Sequence, residues 1–147
     1  MEPSTKSEVL AYMRLHRFAV VATIGADGGP QASLVNIAST NELEVVFDTL
    51  TTSRKHGNLQ RDARIAVTFS GPDEQTLQLE GIAKPVSVAD SVDHDTREAY
   101  YEIWPDGRDR VNLATLAIWR IEPRWARYSD YARGPLVADF HWDAAQI

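Results

Sequence analysis

The residues of this chain best suited to chemistry fall in one run, Phe47-Asp-Thr-Leu-Thr-Thr-Ser-Arg-Lys-His-Gly-Asn-Leu59. The segment Thr51 to Arg61 is polar and basic, with Leu59 as its main apolar anchor, and predicts a short helix opening near Thr52 or Ser53. A helix N-terminus leaves backbone N–H groups unpaired and carries partial positive charge, so it attracts anions. Ser53 can donate a hydrogen bond, Arg54 can grip a phosphate through two parallel bonds, and Lys55 adds a point charge. Together they suit one phosphate monoester. The same run also suits a solvated polar turn between strands, because adjacent Arg and Lys are common on surfaces.

Other constellations offer less. His16, His56, His94 and His141 include no pair at the spacing that puts two imidazoles on one helix face. They read as isolated histidines, with His56 set apart because it follows the basic pair. Cysteine is absent, which removes disulfides, thiol catalysis and thiolate metal sites. The chain has no Gly-x-Ser-x-Gly elbow, no Gly-x-Gly-x-x-Gly and no P-loop. Asp93, Asp95 and Glu98 read as a solvated helix face. Trp104, Trp119, Trp125 and Trp142 could stack on a ring or simply pack.

These residues need a scaffold, and the hydrophobic pattern supplies one. Thr5 and Glu8 have capping-box spacing ahead of an apolar face of Val9, Tyr12, Met13 and Leu15. From Arg17 the period shortens. Phe18 to Ile24, Gln31 to Ala38 and Leu43 to Thr49 read as three strands of an antiparallel meander, separated by turns at Gly25–Pro30 and Ser39–Glu42. After the basic segment, Ala63 to Ser70 alternates through Ile65, Val67 and Phe69. A turn at Gly71-Pro-Asp73 leads to Gln75 to Ala83, with Leu77, Leu79 and then Gly81, a glycine that implies a bulge or the close approach of another group. Ser87 to Trp104 predicts a second helix with Val88, Val92, Ala99 and Ile103 on its face, followed by a loop at Pro105-Asp-Gly107. Leu113 to Glu122 and Trp125 to Tyr131 read as two strands split by Pro123, and the tail from Gly134 as less regular, docked through Phe140 and Trp142. Six or seven antiparallel strands with few helices define a mainly β barrel or sandwich with helical plugs.

The 147 residues fit one domain, 1–147, and 44% hydrophobic with 24% charged residues is ordinary for a globular core. A net charge of −6 argues against broad nucleic-acid binding, although it allows a local basic pocket. No stretch approaches the roughly 20 apolar residues of a membrane span. Met1 to Arg17 is polar and mixed in charge, without the apolar core of a secretion signal, so the expectation is a cytoplasmic protein with neither nucleic acid nor membrane as partner.

The order and spacing of Gly28-Gly-Pro30, Gln31 to Ala38, Phe47-Asp-Thr49, Ser53-Arg-Lys55, Asn58-Leu59, Arg61-Asp-Ala-Arg64 and Leu79-Glu-Gly81 carry a resemblance. From Phe18 to Gly81 the chain is similar to the FMN-binding split β-barrel family related to pyridoxamine 5'-phosphate oxidase. The resemblance implies a flavin, FMN, bound at a homodimer interface, and an oxidoreductase acting on a small-molecule substrate. It would place Ser53, Arg54 and Lys55 on the FMN phosphate, and Asp48 and Thr49 beside the flavin ring or ribityl chain. Val35 and Asn36 would meet the ring edge, Gln78 would reach the cofactor, and Trp125 would complete the partner's site. Gln31, Ser33 and Asn36 stand where additional basic residues would be expected. Pro123-Arg-Trp-Ala-Arg-Tyr-Ser-Asp130 replaces a basic substrate motif and looks more like the general-stress and uncharacterised branches. Vitamin B6 oxidation is therefore not carried over, and no catalytic residue is nominated. A flavin-binding module without turnover, a deazaflavin coenzyme and haem are the alternatives; haem would need His56 or His94 as axial ligand.

Overall fold

A computed structural model describes residues 6–71, 73–110, 113–132 and 136–142. Helix α1 (Lys6–Arg14) leads into strands β1 (Phe18–Ile24), β2 (Pro30–Ser39) and β3 (Val45–Leu50), and then helix α2 (Arg54–Arg61). Strands β4 (Arg64–Ser70) and β5 (Gln75–Val86) follow. After them come a 3-10 turn at Ser91–Asp93, helices α3 (His94–Ile103) and α4 (Gly107–Arg110), and strands β6 (Leu116–Asp130) and β7 (Leu136–His141). All strand pairs are antiparallel. The sheet runs β3-β2-β1-β4-β5-β6-β7, and an added β3–β6 ladder closes six strands into a barrel, leaving β7 as an extra strand on β6.

Alternation builds the barrel. A strand sends successive side chains to opposite faces. Ala19 and Val21, Val35 and Ile37, Val45 and Phe47, Ile65, Val67 and Phe69, and Leu77 and Leu79 thus enter one buried cluster. Burying each such Val, Leu, Ile or Phe contributes about 1.5–3 kcal/mol, so the interior dominates stability. Two helices plug opposite ends. Helix α1 inserts Val9, Tyr12 and Met13. Leu15 lies beyond the helix and is exposed, so it does not extend the apolar face as the sequence pattern implied. The proposed Thr5 cap falls outside the described residues. Helix α2 inserts Leu59 beneath the ends of β1 and β3.

The glycine at 81 behaves as expected. The β5–β6 register shifts between Glu80 and Gly81, and a Cβ on Gly81 would fall on the Glu122 carbonyl oxygen. This bulge also corrects the reading of two strands split by Pro123. β6 is one strand, and Pro123 sits inside it opposite Gly81. There the ladder is already irregular, and a residue without an N–H is tolerated. The tail that looked irregular forms β7, pairing Trp125 with His141 through Asp130 with Leu136.

The second helix is shorter than its pattern predicted, and its buried face differs. Val88 and Val92 precede it and are exposed, and Ile103 is also exposed. Tyr100 and Tyr101 pack instead against Ala38, Val46, Val86 and Ile118, on the outer face of β2 and β3. Of the acids read as a solvated face, Asp93 is bonded into the preceding turn instead, and Asp90 caps the 3-10 turn. Asp93 accepts from Ser87 N at 2.8 Å and Asp90 from Val92 N at 3.1 Å, while the Arg97 guanidinium donates to the Ser87 and Asp90 carbonyls. These bonds bend residues 87–93 into a turn before a helix can start. No helix among the described residues is long and apolar enough to cross a membrane.

Candidate functional site

The end of β3 and the start of α2 bring four expected residues together. Ser53 is the N-cap of α2, in extended conformation, with its Oγ accepting from His56 N at 3.3 Å. A serine there satisfies one free donor of the first turn, so the hydroxyl run ends where the helix begins. Thr49, buried at the end of β3, places its Oγ1 at 2.9 Å from Ser53 Oγ. Lys55 Nζ donates to Thr49 Oγ1 at 3.3 Å. Arg54 is exposed at the first helical position.

Two adjacent cations at this corner stand outside the described ion pairs of the fold. Arg64, Arg108, Arg110, Arg120 and Arg127 each pair with a carboxylate. Among the described residues Arg54 and Lys55 have no such partner. Burial lowers the ionisation of the Lys55 ammonium from its ordinary value, because part of its hydration is lost. Two cations, two hydroxyls and the free N–H groups of a helix start form a donor set suited to a dianionic phosphate ester. Helix α2 is held firmly behind them. Asn58, buried, donates to Thr23 Oγ1 at 3.0 Å and Gln31 Oε1 at 2.8 Å, and Arg61 donates to Asn58 Oδ1 and the Ile24 carbonyl.

The other expected residues lie apart from this cluster. Asp48 faces the opposite side of β3 from Thr49 and pairs with Arg110 at 2.9 Å, while Arg110 also holds Asp106. The hydroxyl of buried Tyr100 sits beside this pair. Burial first, and then the Asp48 carboxylate, push its ionisation well above the usual phenol range. Val35 points into the barrel core. Asn36 is one residue on, beyond the last β2–β3 pair at Ile37 and Phe47. Gln78 is exposed on the outer face, opposite Thr68 on β4 and Arg127 on β6. Trp125 shares that face, with the Arg127 guanidinium 5.5 Å from its ring centre. Asn36, Gln78 and Trp125 make no hydrogen bond to the β3–α2 cluster among those described.

Sequence reasoning missed three supports. Arg110 lies past the loop read at Pro105-Asp-Gly107, with no signal linking it to Asp48, and Asn58 shows no sign in the sequence of reaching Thr23 and Gln31. Trp119, weighed only as a stacking or packing residue, is buried in the core and donates from its indole N–H to His56 Nδ1 at 3.2 Å. Clefts of about 970 Å³, between α1, α3 and the β2–β3 turn, and about 420 Å³, around Arg120 and Trp142, contain none of the residues expected to hold a flavin; His94, one of the two histidines weighed for haem, lines the first.

A closed six-strand antiparallel barrel with an extra strand and helical plugs defines the chain as a split β-barrel protein. A family model described as pyridoxamine 5'-phosphate oxidase matches residues 5–130, and the chain belongs to that family. The pyridoxine/pyridoxamine 5'-phosphate oxidase of Haemophilus influenzae is 33% identical over 72 residues, 48% of this chain and 34% of that protein. The match thus spans about a third of that relative's length. A haem-binding protein from Mycobacterium smegmatis superposes with a TM-score of 0.81 at 17% identity, covering 96% of this chain and 59% of the other. A pyridoxamine 5'-phosphate oxidase-related, FMN-binding protein from Nostoc punctiforme superposes with a TM-score of 0.72 at 16% identity, covering 100% and 95%. At these identities the two structures speak for the fold.

Proposed function

We propose that this chain binds FMN and works as a flavin-dependent oxidoreductase on a small molecule. The observation that carries the reading is the pair Arg54 and Lys55, uncompensated by any described carboxylate, beside the Thr49–Ser53 hydroxyls. Ser53, Arg54 and Lys55 would hold the phosphate, and Thr49 would order the lysine. The FMN-binding neighbour from Nostoc punctiforme and the family's oxidase from Haemophilus influenzae support the choice of flavin. The flavin, when bound, supplies hydride and electron transfer, while the protein supplies placement and electrostatics.

Absorption titration with FMN tests this. The wild type should give a bound two-band flavin spectrum, and replacing Arg54 and Lys55 together by alanine should weaken binding at least a hundredfold, since two charge-assisted contacts are lost. A wild type that ignores FMN removes the reading. Stopped-flow reduction by nicotinamide donors then separates an enzyme from a flavin-storing module, because only the enzyme turns over with an acceptor. A deazaflavin coenzyme would use the same basic corner. Haem is the second reading, favoured by the Mycobacterium smegmatis neighbour.

A further inference from the structure

His56 stands in the first turn of α2, two residues after Arg54 and one after Lys55. Its ring meets Trp119 edge to face, with centroids 5.6 Å apart and planes at 67°. The Trp119 indole N–H donates to His56 Nδ1 at 3.2 Å. An indole nitrogen can only donate, so Nδ1 must accept, and the neutral imidazole carries its proton on Nε2. The donor is itself fixed: Trp119 is buried in the barrel core and pairs with Phe47 across the β3–β6 ladder. His56 is half-buried, and no described residue bonds to its Nε2.

We propose that Trp119 is a positioning residue that sets His56 as an Nε2–H donor, so that this corner takes an oxygen acceptor of a phosphate ester or flavin rather than haem iron. The proposal rests on the reading of the α2 start as the ligand site. Coordination of iron through Nε2 needs the lone pair of that nitrogen, and so a proton on Nδ1. Two N–H groups would then face each other, and the bond from Trp119 would have to break. The surrounding charge agrees. Arg54 and Lys55 precede His56, and no described carboxylate bonds to this turn, so the corner favours an anion over a cationic metal centre.

Nitrogen-15 NMR of the full chain at about pH 8, above the ordinary histidine range, reads the tautomer directly. His56 should show a protonated Nε2 and an unprotonated, hydrogen-bonded Nδ1; a proton on Nδ1 overturns the proposal. FMN titration reads the consequence. His56→Ala should raise Kd roughly tenfold, the loss of one bond to a charged acceptor. Trp119→Phe should raise Kd in the wild-type background and leave it unchanged in the His56→Ala background. An unchanged Kd in His56→Ala, or an equal effect of Trp119→Phe in both backgrounds, overturns it. If Trp119→Phe does not fold, the tautomer and the His56→Ala titration decide alone. Ferric haem is the opposing probe. A haem spectrum unaffected by His56→Ala supports the inference, and a histidine-ligated spectrum that His56→Ala abolishes overturns it. If the wild type ignores FMN, the flavin reading falls, while the tautomer and haem results still decide this one.

Discussion

Lys55 holds its ammonium against a threonine hydroxyl, partly out of water, with no described carboxylate to balance it. In the free protein this favours the neutral amine, so its ionisation lies below the ordinary lysine value of 10.5. A bound phosphate would favour the charged form. FMN affinity should therefore be full at neutral pH and fall as pH rises through the lowered value, and Lys55→Ala should remove that dependence while Arg54→Ala keeps it. Equal pH profiles for wild type and Lys55→Ala would contradict the role given to Lys55. Tyr12 titrates in the opposite sense. Burial first, and then the neighbouring Tyr128 and Asp130, push its hydroxyl up to about 12 from 10.0. The stability this contributes is complete below pH 10 and is lost as pH rises toward 12, because the unfolded chain releases the proton first. Tyr12 donates to the Gln75 carbonyl at 3.2 Å. Tyr12→Phe should cost about 0.5–1.5 kcal/mol near neutrality and flatten the alkaline loss, as read by denaturant unfolding across pH. Residue chemistry was legible where partners are close in sequence. Ser53 as a cap and the Ser53–Lys55 cluster involve residues at most six apart. Asp48 with Arg110 spans 62 residues and Asn58 with Thr23 spans 35, so neither left a local signal.

At the scale of elements, period-2 alternation makes most of the barrel legible in the sequence, because one face of each strand must enter the core. The failures have physical causes. Pro123 looked like a strand break because proline removes a ladder donor, yet it sits opposite the bulge at Gly81, where the ladder is already interrupted. Residues 87–104 looked like one amphipathic helix because Val88, Val92, Ala99 and Ile103 recur at helical spacing. The Asp90 cap, the Asp93 carboxylate accepting from Ser87 N and the Arg97 guanidinium fold the first part into a turn instead, and two tyrosines take the buried face. Gly81 is the element-scale test. Its missing side chain lets β5 approach the Glu122 carbonyl and seats the bulge. Gly81→Ala should destabilise by about 1–3 kcal/mol through overpacking, seen as a lower denaturant midpoint. Gly57→Ala, with open space around its Cβ in α2, should not destabilise, since alanine is the better helix former. Equal midpoints for Gly81→Ala and wild type would show that the strand pair shifts without cost.

The whole molecule leaves one part of its sheet uncovered. Helix α3 shields the outer face near Ala38 and Val46, but Phe18, Val20 and Leu34 are 51%, 43% and 66% exposed, and Val20 and Leu34 are paired across β1 and β2. The face continues over Thr68, Gln78 and Arg127 to Trp125. Exposed apolar side chains grouped on one sheet face are a reason to expect a partner. Three of the expected cofactor residues, Asn36, Gln78 and Trp125, lie on this face or at its edge, away from the β3–α2 corner. A second copy of the chain against this face would cover these side chains and offer Gln78 and Trp125 as the partner's share of the site. This homodimer is a proposal with a definite test. Light scattering of the FMN-loaded wild type should give twice the chain mass. Val20→Lys with Leu34→Lys places two charges where desolvation is most costly, and should yield a monomer. Both residues point to the outer sheet face, whereas Thr49, against which Lys55 rests, points inward, so the phosphate contacts should survive in that monomer. FMN affinity should nevertheless fall by tenfold or more, because the ring would lose the partner's surface. A monomeric variant that keeps wild-type affinity would place the whole flavin site within one chain, and leave Gln78 and Trp125 without a role in it.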